Sequence, residues 1–158
     1  MTDSQGESAF LEELDALLRD GEEEALGIFL RLVRPEDIAE WLDLLSVDER
    51  QRVLAALDPS SAGAVLDSTT TSIRAELVED FSPEKLARIA ETMPPDEAAD
   101  LIGELEEEHT EQVLQAISEE DEVVIRDLLR YAEDTAGGIM SPEVVALTPE
   151  ATVDDAIR

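Results

Sequence analysis

Carboxylates are the functional groups this sequence offers most freely, and one set stands at a spacing that could act together. In Asp96-Glu97-Ala98-Ala99-Asp100 the outer two aspartates lie four residues apart, hence on one helical face, with Asp96 near the helix N-terminus. The chemistry available to oxygen donors alone is ligation of hard divalent cations such as Mg²⁺ or Ca²⁺, of which Mg²⁺ keeps several waters and takes one or two carboxylates. By spacing alone the pair also fits a solvated acidic face, because 41 Asp plus Glu make such pairs common. The same abundance prevents any pair from standing out as a general acid and base.

Other catalytic signals are missing. With no cysteine there are no disulfides, thiolate nucleophiles or soft-metal sites. The single histidine, His109, sits in Glu106-Glu107-Glu108-His109-Thr110-Glu111 with no nucleophile at a telling distance, and reads as solvated surface. Glycine-rich phosphate and dinucleotide loops are absent. The expectation is a protein that is not an enzyme.

Charge narrows the partners. The chain has 158 residues, 11 Lys plus Arg against 41 acids, a net charge of −30 and a pI near 4.1. It is nevertheless 43% hydrophobic, too apolar for a disordered acidic tail. Such a surface repels phosphate backbones and anionic lipid, so nucleic acid and direct membrane insertion are disfavoured, and divalent cations or basic partners are favoured. Trp41 and Tyr131 read as core or interface anchors, since so few aromatics cannot line a nucleic-acid groove. Charge-free stretches such as Pro59 to Leu66 reach only eight residues, well short of the roughly 20 a membrane-spanning helix needs. Met1 to Ser8 does not read as a signal peptide.

The elements that must hold the aspartates are announced by an internal period. Pro35, Pro59 and Pro83 are 24 residues apart, and Pro35-Glu36 with Asp48-Glu49 recurs as Pro83-Glu84 with Asp96-Glu97. Apolar residues keep the same interval: Trp41, Val65, Ile89, Val113, then Val53, Leu77, Leu101, Ile125. Ile38, Trp41, Leu42 and Leu45 show helical spacing, and Ser46 with Glu49 three residues later forms a capping signature before Val53, Leu54 and Leu57. The expected fold is all-α, a right-handed superhelix of about five stacked 24-residue helical hairpins, each too small to bury its own apolar face. Gly27 and Gly103 inside predicted helices suggest close helix approach.

Near Tyr131 the register stops. Thr135-Ala136-Gly137-Gly138-Ile139-Met140-Ser141-Pro142 reads as a connector, followed by a short strand at Val144 to Leu147 and a helix start from Thr152 that looks cut. The expected organisation is a flexible tail over 1–10, a helical domain over 11–131, and a connector with an incomplete further unit over 132–158.

These residues carry a resemblance. Leu128-Leu129-Arg130-Tyr131-Ala132-Glu133-Asp134-Thr135-Ala136-Gly137-Gly138-Ile139-Met140 resembles the junction of the MgtE family of magnesium channels and transporters, and Met93-Pro94-Pro95-Asp96-Glu97-Ala98-Ala99-Asp100-Leu101-Ile102 resembles that family's M-x-x-D-D-A-A-D-L-L segment. The resemblance implies a cytosolic N domain running into the start of a CBS repeat, with the rest of the CBS domain and the membrane pore domain outside this chain. It implies Mg²⁺ as the ion, bound between N and CBS domains to favour a closed pore when intracellular Mg²⁺ is high. It further implies Asp96, Asp100 and a backbone carbonyl of Gly137 or Gly138 as ligands, with Glu97 where the family has a middle aspartate. The family is homodimeric, which leaves the oligomeric state of this piece open. A helical interaction scaffold like the FliG motor protein is the alternative, and Thr148-Pro149-Glu150-Ala151-Thr152-Val153, which looks like a CBS start, argues against it.

Overall fold

Ten helices occupy the described part of the computed structural model, which comprises residues 4–131, 135–137 and 140. They are α1 (Ser4–Asp20), α2 (Glu23–Leu30), α3 (Pro35–Leu42), α4 (Val47–Ala56), α5 (Pro59–Ser68), α6 (Thr71–Glu79), α7 (Pro83–Ala90), α8 (Pro95–Gly103), α9 (Glu107–Ala116) and α10 (Glu119–Leu128). No strand occurs among the described residues, so the all-α expectation holds. The strand and helix start expected beyond Ser141 fall outside them.

Starts and stops are local. Proline occupies the first helical position of α3, α5, α7 and α8, where its missing N–H costs nothing. Asp58 and Ser82 accept backbone N–H bonds from Ser61 and Lys85, capping α5 and α7. Before α4, the Ser46 backbone N–H donates to Glu49 at 2.9 Å and the Ser46 hydroxyl donates to the same oxygen at 2.6 Å. The expected capping signature is therefore realised.

Those hydrogen bonds hold the Glu49 carboxyl below its usual range, side chain first and backbone second. A depressed carboxylate contributes stability that is present above its unfolded-state pKa and disappears as pH falls through the lower folded value. Ser46→Ala should accordingly cost about 1 kcal/mol at neutral pH. The cost should shrink in acid as Glu49 is protonated, which urea unfolding at two pH values measures.

Helices pack chiefly on their next-but-one neighbours. One row runs α3, α5, α7, α9; the other contains α2 on α4, α4 on α6, and α8 on α10. The half-repeat of twelve residues explains this: one short helix plus its turn uses twelve residues, and each successive helix changes row. Trp41, Val53, Val65, Leu77, Ile89, Leu101, Val113 and Ile125 recur at that interval, all buried. The next position repeats it with Leu42, Leu54, Leu66, Val78, Ala90, Ile102 and Leu114. The core is thus a continuous seam between rows, as a stacked array requires.

Gly27 is required by a close approach, since a Cβ there would lie 3.0 Å from the Ala56 carbonyl oxygen at the end of α4. At Gly103 a Cβ would meet only a Leu129 methyl at 3.4 Å, so the close approach expected there is ordinary contact. Within the 1–10 segment expected as a tail, the chain is helical from Ser4, and the Phe10 ring lies 5.8 Å from Phe29 and 6.4 Å from Trp41. Those ring contacts pack Phe10 against the first repeat. Trp41 is the core anchor expected of it; Tyr131 is 46% exposed.

Candidate functional site

Helix α8 carries the aspartates. Pro94-Pro95 fixes its start, Ala98, Ala99, Leu101 and Ile102 bury its inner face, and α10 packs alongside. That leaves Asp96 in the first turn and Asp100 one turn later, both partly buried. One oxygen of Asp96, Oδ1, is buried with no hydrogen-bond partner. Such an orphaned acceptor forfeits its hydration for nothing, and a cation would restore what it lost.

The electrostatics around the pair extend beyond α8. Burial pushes the Glu97 carboxyl above its usual range, and the charges of Asp67, Asp96 and Asp100 push in the same direction. Asp67 comes from α5 and was not singled out by spacing, lying 29 residues before Asp96. On the other side Arg74 of α6 holds Glu104, the residue that ends α8, with its Nε 3.0 Å from both carboxylate oxygens. The Arg74 guanidinium is held above its usual range by that hydrogen bond first, against the opposing effect of burial, with Asp67 and Asp100 among the charges that reinforce it. The acids therefore form a field spread over α5 and α8, bordered by the partly buried Arg74–Glu104 ion pair.

Gly137 lies beyond α10, and a side-chain carbon there would overlap the Tyr131 ring. Glycine at this place lets the backbone pack closely against the Tyr131 ring. Gly138 lies outside the described residues. Among the described residues no group of three or more carboxylate or imidazole side chains converges on a metal position. What the donors present can do is contribute one or two carboxylates to a hydrated Mg²⁺ whose other ligands come from elsewhere. His109 is on α9 and partly exposed.

Comparison with known proteins gives these features a family. The MgtE intracellular N domain family matches residues 33–134. The magnesium transporter MgtE of Thermus thermophilus is 28% identical over 148 residues, covering 92% of this chain and 33% of that protein. A crystal structure of the cytosolic domain of the Mg²⁺ channel MgtE in complex with ATP superposes with a TM-score of 0.84 at 28% identity, covering 93% of this chain and 60% of the other. The soluble part of a magnesium transporter shares the fold at a TM-score of 0.74 and 22% identity, over 96% of this chain and 60% of that one. The chain thus spans a third of the transporter it matches and well over half of the solved soluble pieces. Among the described residues no helix is long and apolar enough to cross a membrane. With the family's match extending over most of the repeats and all of α8, this chain belongs to the MgtE intracellular N domain family.

Proposed function

We propose that this domain is the cytosolic regulatory part of a magnesium transporter, sensing intracellular Mg²⁺ and favouring the closed state when Mg²⁺ is high. Its role is ligand-dependent docking, not catalysis. The observation that carries the reading is the Asp96 carboxylate, with one oxygen buried and unsatisfied one helical turn from Asp100 on the same helix. Asp96 and Asp100 would contribute carboxylate oxygens, and Gly137 or Gly138 a backbone carbonyl. The remaining ligands would come from the CBS domain of the full-length protein.

The physical logic follows from charge. A domain at −30 repels any second acidic surface, and cations between the two replace repulsion with shared ligation. Binding then shifts a closed–open equilibrium by the ion's differential affinity for the closed state. Moving that equilibrium from 1:99 to 99:1 takes about 5.5 kcal/mol, more than a two-carboxylate site is expected to supply alone, which is why a site shared between domains suits the task.

Thermal unfolding in MgCl₂ against NaCl at matched ionic strength tests the reading. A saturable, Mg²⁺-specific rise in Tm is expected, worth about 2.7 kcal/mol at a hundredfold excess over Kd. Asp96→Ala/Asp100→Ala should abolish it. Equal responses to the two salts in both proteins would reduce the acids to general surface charge and sink the proposal for this domain.

A further inference from the structure

A shallow groove of about 320 Å³ opens between the α4–α5 corner and α7, far from carboxylate chemistry in character. Its floor is apolar, made of Leu54, Ala62 and Ile89, and its rim carries Lys85 and Arg88. That volume lies at the lower end of the roughly 300–1,000 Å³ typical of small-molecule sites. Lys85 is the sole lysine of the chain.

The two cations are unusual for this protein. Acids outnumber bases by 41 to 11, yet Lys85 and Arg88, like Arg31, join none of the ion pairs among the described residues, and these two alone stand together on one groove. The Lys85 ammonium sits 3.5 Å over the Phe81 ring centroid, and Arg88 gives its Nε to the Glu84 carbonyl at 3.2 Å, leaving its terminal nitrogens without a partner in the described residues. Burial lowers the Lys85 pKa, and the charge of Arg88 lowers it further. Two like charges one helical turn apart beside an apolar hollow repel each other until something negative lies between them.

We propose that this groove binds a small organic anion, its apolar body on Leu54, Ala62 and Ile89 and its phosphate or carboxylate head between Lys85 and Arg88. The ammonium and the guanidinium donate charge-assisted hydrogen bonds, and the floor removes the body from water. Physiological salt screens the domain's carboxylates lying beyond about 8 Å, so the anion meets chiefly the charges nearest the groove, Lys85 and Arg88 among them. The site is separate from the α8 aspartates, so neither stands or falls with the other.

Titration of the ¹⁵N-labelled domain in EDTA-containing buffer, free of divalent cations, tests this with four probes: phenyl phosphate, benzoate, inorganic phosphate and benzyl alcohol. Phenyl phosphate or benzoate should shift amides of α4, α5 and α7 saturably, whichever binds tighter identifying the head group. Inorganic phosphate and benzyl alcohol, each lacking half of the chemistry, should bind at least several-fold more weakly. Lys85→Gln/Arg88→Gln, both on the groove rim, should weaken the tighter probe by about tenfold or more while leaving Tm nearly unchanged. Equal binding of inorganic phosphate and phenyl phosphate, equal binding by the double variant, or no saturable shift with either organic anion would overturn the proposal.

Discussion

Arg74→Ala should destabilise the domain by about 2 kcal/mol, less than breaking a fully buried ion pair costs, because this pair is only partly buried. Arg74 and Glu104 are 15% and 7% exposed at their side chains, so removing the guanidinium leaves a carboxylate in a place with little water. Glu104 ends α8 and can swing partway toward solvent, which lowers the cost further. The pair also ties α6 to α8, helices whose direct packing is slight compared with α8 on α10. Chemical unfolding of Arg74→Ala, Glu104→Leu and Arg74→Met/Glu104→Leu forms the test. Each single change should be costly and the double change should recover most of the loss, because two apolar side chains need no partner. A double variant as unstable as the sum of the singles would show that the arginine acts by packing alone.

That ion pair marks where the sequence stopped being legible. The apolar interval of 24 residues announced the helices and the continuous core between stacked units, since Trp41, Val65, Ile89 and Val113 recur whatever the contacts in between, while the two rows emerged only from the packing. Capping by Ser46 and Glu49 was equally readable, because three residues of sequence separation hold all of it. Arg74 and Glu104 are 30 residues apart, and Arg52 reaches 34 residues back to the Leu18 carbonyl. No local rule selects such partners from so many acids. One signal was available: Arg50 and Arg74 occupy equivalent repeat positions, where Ile38, Ala62, Leu86 and Ala98 are buried, so an arginine there must point a charge inward. Arg50 answers it by donating to the Leu42 carbonyl at 2.7 Å, a second donor on an acceptor at the end of α3 that the Leu45 N–H already reaches at 3.3 Å, and by pairing with Glu76.

The candidate site divides the same way. Asp96 and Asp100 were visible because four residues make one helical turn, but the orphaned oxygen of Asp96 and the charge of Asp67 acting on Glu97 exist only once the helices are packed. Spacing within a helix encodes direction; crowding between helices is a property of the packed array. A backbone ligand at Gly137 is implied by the resemblance alone; what the structure shows there is the Tyr131 ring lying where a Cβ would be.

Leu101→Ala should cost about 2–5 kcal/mol, the range for removing a fully buried leucine from a core that cannot collapse around the hole. Leu101 is 1% exposed on the inner face of α8, whereas Leu32, 76% exposed on the outside of the array, should lose less than about 0.5 kcal/mol on the same truncation. Urea unfolding of both variants checks the contrast. The location of the damage is the sharper test, because in a stacked array each helix is stabilised mainly by its immediate neighbours. Hydrogen exchange in Leu101→Ala should rise first in α8 and α10, with α2 and α4 protected until global unfolding. Helix α8 also presents Asp96 and Asp100, so a cation that binds the folded helix should restore part of the lost protection. Uniform loss of protection along all ten helices would mean that the array unfolds as one cooperative unit, and that events at α8 reach α2 without any intermediate.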